Sequence, residues 1–304
     1  MNRRNFIHKS IGGALALPVL SLPDFKNSAN PQTTYIANYD TESKSCIDNL
    51  ETIVNMHIKH QMPATFFIVA NIINNENKQK VIRLMDNPLF EVGSHSLNHQ
   101  VVLPHPLATH TGNPRHEIVD SKKKLEDIFG KEIKGFAAPY AYTDGFKNNK
   151  QILDLVQEAG YKYTSSMCWG PDYSLPAPIL NPFTYEQEGY RAIWEIPKHG
   201  WHENILKGHT DVSKVKILQW PSDYPEGAIP KGFVKTAEQE FNVNKCFLNL
   251  AQKTNKKHLT LAWHPWSLAR MDKNMKMLDL TFTYVKKQGF KTGTFYQLYQ
   301  SLQA

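Results

Sequence analysis

The chain has 304 residues, which is enough for one large α/β domain or two small ones. Hydrophobic residues make up 41% of it, so a buried core is expected and a wholly disordered chain is excluded. The formal net charge of +7 falls to +4 without residues 1–29 (31 basic against 27 acidic residues), and no Lys/Arg cluster is interleaved with aromatics, so we expect no nucleic-acid partner.

The N-terminal residues have the pattern of a targeting segment. Residues 2–7 read Asn-Arg-Arg-Asn-Phe-Ile, a twin-arginine pattern, and an apolar stretch follows over residues 11–22. That stretch is too short to span a bilayer stably, so we expect a signal and no stable membrane insertion after its removal. We therefore assign residues 1–29 to a twin-arginine-type signal segment and expect a periplasmic or extracellular protein.

Apolar strand-like runs alternate with helical patterns along the rest of the chain. Between most of these runs, apolar residues recur three and four positions apart, as in Ile47, Leu50, Val54 and Ile58. Eight strands with intervening helices predict a single α/β domain over residues 30–304, a (β/α) barrel of seven to eight strands. A doubly wound open sheet is the alternative. The candidate strands are residues 34–40, 64–69, 90–94, 133–137, 161–165, 192–196, 259–263 and 291–294.

An irregular insertion over residues 169–232 interrupts this alternation. It is rich in Pro, Gly and aromatic residues, and only residues 192–196 read as a strand. Long irregular segments inside a compact domain are usually functional loops. Because sugar rings stack on aromatic side chains, we expect Trp201 and His202 to bind substrate. Packing of these rings onto the barrel is the alternative.

Two histidines follow the third predicted strand. The apolar run ends at Gly93, and His95 and His99 come next. If the chain coils here, the four-residue spacing places both imidazoles on one side, close enough to share a metal ion. A catalytic zinc site needs three protein ligands and an open position for water. The pair therefore predicts two metal ligands, with a chance pairing among 13 histidines as the alternative.

Polar side chains also follow other predicted strands. Asp40 and Glu42 end the first strand, and residues two apart in a strand project to the same side. One carboxylate could bind metal while the other accepts a proton from the bound water. An ordinary acidic turn is the alternative. Tyr140 and His264 follow the fourth and seventh strands, so candidate groups gather at one face of the barrel, where barrel active sites lie.

These motifs together resemble the polysaccharide deacetylases, the carbohydrate esterases of family four. His95-Ser96-x-x-His99 is similar to their metal motif, Pro139-Tyr140 to the end of their Arg-x-Pro-Tyr block, and His264 to their last motif. The resemblance extends from about residue 34 to residue 295. It implies a distorted (β/α) barrel, a divalent metal ion, for which we predict zinc, and a glycan substrate.

The chain departs from the family pattern at three places. Two adjacent Asp residues are usual in the first motif, whereas this chain has Asp40-Thr41-Glu42, as some branches do. We assign the base to Asp40 and the metal ligand to Glu42, with the reverse assignment open. Ala137 stands where the family has an Arg that orients the base. Either another cation takes that role here, or the orientation of the base is less well controlled. No charged partner for His264 can be named.

The resemblance implies a metal-dependent hydrolase that removes N-acetyl groups from an amino-sugar polysaccharide or oligosaccharide. In it, Asp40 takes a proton from water, the backbone N–H of Tyr140 stabilises the oxyanion, and His264 protonates the departing amine. The remaining candidate residues fall into two groups, metal ligands (Glu42, His95, His99) and substrate-binding residues (Trp201, His202, Trp266).

Three alternatives stay open at this point. The same site could act as an O-acetyl esterase. It could also hydrolyse a small amide, as in an allantoinase-like branch that resembles this chain around Asn38-Tyr39. Finally, Ala137 is compatible with a carbohydrate-binding pseudo-enzyme that keeps the metal without turnover. The sequence makes no prediction of oligomeric state.

Overall fold

The computed structural model describes residues 33–210, 213, 216–217 and 224–304. Residues 31–304 cluster into one unit. The predicted signal, residues 1–29, lies outside the described residues and stays a prediction. In the part of the chain that is described, no helix combines the length and apolarity needed to cross a membrane.

Strands and helices alternate through most of the described chain. The strands are β1 (Thr34–Thr41), β2 (Ala64–Ile68), β3 (Phe90–Ser94), β4 (Gly135–Tyr142), β5 (Tyr163–Met167), β6 (Ser174–Leu175), β7 (Phe183–Tyr185), β8 (Tyr190–Glu195), β9 (His199–His202), β10 (Lys216–Ile217), β11 (His258–Ala262) and β12 (Lys291–Thr292). The helices are α1 (Lys44–His60), α2 (Lys78–Met85), α3 (Ser121–Phe129), α4 (Lys150–Ala159), α5 (Glu203–Leu206), α6 (Ala237–Lys253), α7 (Pro265–Met271), α8 (Lys276–Lys287) and α9 (Phe295–Gln303).

The principal sheet is almost entirely parallel. Its strand order is β7-β8-β5-β4-β3-β2-β1-β11-β9, and β12 also pairs with β1. The β7–β8 pair is antiparallel, and the other strand pairs of this sheet among the described residues are parallel. Parallel neighbours need crossover connections, which the helices supply. The predicted α/β class is therefore confirmed.

The strand ladder does not close into a continuous ring between β8 and β9. The segment that links these two strands bonds to β5. The Ile196 N–H donates to the Thr164 carbonyl and the Lys198 N–H donates to the Met167 carbonyl, each at 2.8 Å. His199 then pairs with Leu261 in β11. One segment, residues 190–202, thus lies against β5 first and β11 afterwards, which distorts the barrel here.

The predicted strand boundaries hold best where the sequence is apolar. The third strand has the predicted bounds, and β4 begins two residues later and continues to Tyr142. Strand β9 was not predicted because His-Gly-Trp-His lacks a strand-like pattern and Gly200 has a φ of 71°. The last predicted strand has only two residues, Lys291–Thr292.

The C-terminal helix covers the N-terminal ends of the strands. The Phe295 N–H donates to the Thr65 hydroxyl at 3.0 Å, and the Tyr296 N–H donates to the Glu91 carboxylate at 2.9 Å. Both acceptors are the second residues of their strands, so α9 closes the end of the barrel opposite to the carboxyl ends. Buried apolar side chains fill the interior between them (Ile36, Phe67, Ala137, Tyr163, Ile196, Phe295, Leu298).

Candidate active site

The carboxyl ends of the parallel strands surround a cavity of about 150 Å³. Active sites of (β/α) barrels form at this end because several strand–helix connections meet there. Eight of the residues predicted from the sequence line this cavity (Asp40, Glu42, His95, His99, Tyr140, His202, His264, Trp266). Lys198, which was not predicted, also lines it.

A non-helical loop brings His95 and His99 together. Ser96 and His99 adopt positive φ angles of 75° and 60°, so the chain bends sharply twice and does not coil after Gly93 as expected. The Ser96 hydroxyl accepts the His99 N–H at 2.9 Å and stabilises the second bend. The two imidazole centroids lie 5.0 Å apart. The expected proximity is therefore present, but backbone bends produce it in place of a helical turn.

Glu42, His95 and His99 form a group that can hold a metal ion. One ligand atom from each lies within 4.8 Å of the others. The His95 Nδ1–H donates to the Ala137 carbonyl at 2.9 Å, so its Nε2 is left free as a ligand atom. The Glu42 Oε2 lies 3.0 Å from the His99 Nε2. Two imidazoles and one carboxylate match the ligand set of a catalytic zinc site, so the residues fit such an ion.

A buried lysine pairs with Asp40. The Lys198 ammonium donates to both carboxylate oxygens, at 2.5 and 2.6 Å, and its side chain is 2% exposed. Burial raises the pKa of Asp40, but the charge of Lys198, followed by those of His95 and His264, outweighs it and lowers the pKa to about 2. Lys198 could not be predicted as its partner, because it stands 158 positions from Asp40 in the irregular insertion.

His264 pairs with a glutamate from the same insertion. Its Nδ1–H donates to the Glu203 Oε2 at 2.7 Å, and its backbone N–H donates to Oε1 at 3.1 Å. Burial lowers the pKa of His264, but the negative charges of Glu203 and Glu42 outweigh it and raise the pKa to about 9. The Nε2 atom lies 3.8 Å from Glu42 and so faces the candidate metal ligands. Glu203 is thus the charged partner that the sequence did not identify.

Trp266 binds the other side of the Glu42 carboxylate. Its indole N–H donates to the Oε1 at 2.8 Å, which leaves Oε2 facing His99. Burial raises the pKa of Glu42, but His264 and His99 outweigh it and hold the pKa well below its usual range. The predicted substrate residue Trp266 therefore also orients a candidate metal ligand.

Tyr140 lies in an irregularity of β4. The pairing register with β5 shifts between Ala137 and Tyr142, and Tyr140 has a φ of 62°. Such bulges redirect the backbone beside active sites. The Tyr140 carbonyl accepts the Trp169 indole N–H at 2.7 Å, and the Tyr140 ring lies 5.3 Å from that of His99. The bulge therefore places Tyr140 at the cavity, where the sequence predicted it.

The structure separates the two other predicted substrate residues. His202 lines the cavity, its ring centroid lies 4.5 Å from that of Trp169, and its Nε2–H donates to the Cys168 carbonyl at 3.0 Å. Trp201 is 6% exposed, and its indole N–H donates to the Ala228 carbonyl at 2.9 Å. Trp201 is therefore not among the residues that line the cavity, and its side chain packs within the insertion, which agrees with the alternative.

The sequence matches a known family over its first half. Residues 28–164 match the polysaccharide deacetylase family model. The chain is also similar to the uncharacterized protein YlxY of Bacillus subtilis (strain 168), with 27% identity over 163 residues. That match covers 50% of this chain, and it spans only 47% of the length of the relative. The resemblance to the polysaccharide deacetylases is confirmed.

Solved structures share the fold over nearly the whole chain. A putative polysaccharide deacetylase from Mycobacterium smegmatis has a TM-score of 0.62 at 15% identity, covering 95% of this chain and 94% of its own. A probable polysaccharide deacetylase from Pseudomonas aeruginosa PAO1 has a TM-score of 0.59 at 13% identity, covering 88% and 89%. The Puue allantoinase reaches 0.59 at 12% identity, covering 90% and 91%. At these identities the likeness shows the fold alone.

Proposed function

We propose that this deacetylase-like chain is a metal-dependent hydrolase that removes N-acetyl groups from an amino-sugar polysaccharide or oligosaccharide. One observation carries the proposal. A possible metal-binding group, a carboxylate–ammonium pair and an imidazole–carboxylate pair all line one cavity. A hydrolytic site needs these three components to activate water, accept its proton and protonate the leaving group.

Glu42, His95 and His99 would hold the divalent ion, for which we propose zinc because two imidazoles and one carboxylate suit it. When bound, such an ion polarises the substrate carbonyl and lowers the pKa of water toward neutrality. The chain prepares the site by fixing the tautomer of His95 through Ala137 and the orientation of Glu42 through Trp266.

Asp40 is the proposed general base. Its low pKa keeps the carboxylate ionised at neutral pH, so an oxygen can accept the proton that water loses as it attacks. Lys198 binds both oxygens and holds them in one orientation. It supplies the cation that Ala137 cannot. This pairing favours turnover over a binding-only role, which Ala137 had supported by leaving the base without a cation.

His264 is the proposed general acid. A pKa of about 9 keeps its Nε2 protonated at neutral pH, and Glu203 fixes the ring from the other side. Amines are poor leaving groups unless they are protonated, whereas esters depend on protonation less. A protonated imidazole therefore supports the N-acetyl reaction over the O-acetyl one. The Tyr140 N–H is the proposed oxyanion donor, and one such donor is worth about 3 kcal/mol.

We also propose export through the predicted twin-arginine segment, so that the glycan is met outside the cytoplasm. The pattern over residues 2–7 supports this location. Replacing Arg3 and Arg4 by Lys should keep the protein in the cytoplasmic fraction. Unchanged export of this variant would refute the twin-arginine route.

Acetate release tests the proposed reaction. Protein stripped of metal and reloaded with zinc or cobalt is incubated with chitin oligomers, peptidoglycan and acetylated xylan, and the acetate is measured. With allantoin, which carries no acetyl group, ring opening is measured instead. Metal-dependent release of acetate from the amino sugars is the expected result. Hydrolysis confined to acetylated xylan would identify an O-acetyl esterase, and hydrolysis confined to allantoin would identify a small-amide hydrolase. Either result would contradict the proposed N-acetyl reaction. Stoichiometric metal with no hydrolysis of any substrate would favour a binding protein.

A further inference from the structure

The loop that carries the two histidines is held by one carboxylate from outside it. The Glu117 Oε2 accepts the backbone N–H groups of Leu97, Asn98 and Gln100 at 3.1, 2.9 and 3.4 Å. Its Oε1 accepts the Asn98 side-chain amide at 3.0 Å. Glu117 is 1% exposed. A single buried side chain therefore binds most of the loop between the histidines.

These bonds replace the hydrogen bonds that a helix would have made. Ser96 and His99 have positive φ angles, and an L-residue in that region costs roughly 1–2 kcal/mol. The N–H of His99 is bound by Ser96 and those of its neighbours by Glu117. Without the carboxylate, three loop donors lose their acceptor. The bent conformation of the loop then loses the three backbone hydrogen bonds that Glu117 accepts.

Glu117 lies in an unusual turn. Residues His116–Asp120 form a π-helical turn that runs directly into α3. Such turns often occur at functional sites, because the extra residue changes which side chains face inward. The Glu117 carbonyl accepts the Ser121 hydroxyl at 2.8 Å within this turn. The turn thus fixes the backbone from which the carboxylate reaches the loop.

We propose that Glu117 is a positioning residue that holds His95 and His99 in the metal-binding arrangement before the ion binds. This inference rests on the metal site of the proposed function. Glu117 is not itself a ligand. It orders the loop in advance, so that binding the ion does not have to order it. Residues that support metal ligands in this way typically change metal affinity by 10–100-fold when they are replaced.

The test compares Glu117→Ala and Glu117→Gln with a matched buried carboxylate. Glu195→Ala is the control, because Glu195 is 0% exposed and accepts the backbone N–H groups of Ser166 and Met167, outside the metal-ligand loop. Zinc affinity is measured by competition with a chromogenic chelator. Amide hydrogen exchange at Leu97, Asn98 and Gln100 is measured in the metal-free proteins, and thermal unfolding is recorded for each variant.

Glu117→Ala should weaken zinc binding by roughly 10–100-fold and abolish exchange protection at the three amides. Glu117→Gln keeps one carbonyl acceptor, so its zinc affinity and its exchange protection should lie between those of Glu117→Ala and those of the natural protein. Glu195→Ala should lower the unfolding temperature and leave zinc affinity unchanged. Natural zinc affinity in folded Glu117→Ala, or an equal loss in Glu195→Ala, would overturn the inference.

A second outcome separates this inference from the proposed function. If the natural protein binds no zinc or cobalt, the metal site of the proposed function is wrong. The exchange measurement still decides whether Glu117 holds the loop, since it uses metal-free protein. Unaltered exchange protection in Glu117→Gln and Glu117→Ala would refute the positioning role by itself.

Discussion

The ammonium of Lys198 binds both carboxylate oxygens of Asp40, at 2.5 and 2.6 Å, inside the carboxyl end of the barrel. The pair joins the end of β1 to the segment between β8 and β9. Ala137, on β4, stands where the resemblance to the deacetylases implies an arginine beside the proposed base. In this chain Lys198, from another part of the barrel, is the cation that binds the Asp40 carboxylate.

Replacing Lys198 should impair turnover and leave metal binding intact. We expect Lys198→Met to lose a large part of the roughly 10²–10⁴-fold that a general base supplies, because Asp40 loses its orientation. The double variant Lys198→Met, Ala137→Arg should recover part of kcat. Lys122→Met is the control, since Lys122 is also buried and pairs with Glu126 away from the cavity.

Metal content and unfolding temperature are measured for the same variants, together with kcat. Breaking a buried ion pair costs about 3–5 kcal/mol of stability, so Lys198→Met should unfold at lower temperature. Lys122→Met should lose less, because the Glu126 side chain is 31% exposed. Only the Lys198 variant should lose kcat beyond that. An equal loss of kcat in Lys122→Met would mean that stability, and not Asp40, explains the effect.

Replacing Glu203 should shift the basic limb of the pH–rate profile to lower pH. His264 must be protonated to act as an acid, and Glu203 contributes to raising its pKa to about 9. Activity of the natural protein should fall as pH rises through that value. In Glu203→Gln the pKa of His264 drops, so the fall should begin nearer neutrality. An unchanged basic limb would exclude His264 as the group that is being titrated.

The two acids should respond differently to substitution. Glu42→Ala, His95→Ala and His99→Ala should each lower bound metal, because each residue offers a ligand atom to the group. Asp40→Asn should keep the metal and lose roughly 10²–10⁴-fold in kcat, the usual contribution of a general base. Metal analysis after gel filtration, combined with acetate release, separates the roles. Loss of metal in Asp40→Asn with retention in Glu42→Ala would reverse the assignment.

Trp266 should affect the metal through Glu42. Trp266→Phe removes the indole N–H from Oε1 and frees the carboxylate to rotate. We expect zinc affinity to fall by about 10-fold or more, the usual effect of losing a partner of a metal ligand. Trp201→Phe is the control because its indole N–H binds the Ala228 carbonyl away from the cavity. Equal affinities in the two variants would contradict the orienting role.

Acid should destabilise the fold through buried His57. Its Nδ1–H donates to the Met62 carbonyl and its Nε2 accepts the Tyr39 hydroxyl, both at 2.7 Å, and burial lowers its pKa from 6.5 to about 3. The unfolded chain therefore takes up the proton first, and stability falls as pH drops below 6.5. The expected loss from this group is about 2 kcal/mol between pH 7 and pH 5.

Urea unfolding at several pH values measures that loss. His57→Gln keeps an acceptor for Tyr39 but cannot be protonated, so its stability should depend less on pH across this window. His116→Gln, at an exposed histidine, is the matched control. Equal pH slopes for His57→Gln and the natural protein would show that His57 does not cause the acid sensitivity.

The periodic part of the fold could be predicted from the sequence. Strands β1, β2, β3 and β11 were predicted to within a few residues, because each contains a short run of mostly buried apolar side chains that reads as a strand. Strand β9 was not, because its pairing with β11 depends on neighbours and not on its own composition. The bends at Ser96 and His99 also escaped prediction, since Glu117, which holds them, is encoded well downstream.

The site residues divide in the same way. Asp40, Glu42, His95 and His264 were predicted because each follows a recognisable strand. Lys198 and Glu203 could not be, since a lone charged residue in an irregular segment carries no local sign of its partner. Lys198 contacts Asp40, which is 158 positions away, and Glu203 contacts His264, which is 61 positions away.

The candidate ligands Glu42, His95 and His99 all precede residue 100, whereas Lys198, Glu203 and His264 follow residue 195. Lys198 and Glu203, which pair with the proposed base Asp40 and the proposed acid His264, thus lie within six positions of each other and far from the candidate metal ligands. Changes confined to residues 198–203 would therefore remove the charged partners of both Asp40 and His264 without touching a candidate metal ligand, so the proposed chemistry and the proposed metal site can change independently.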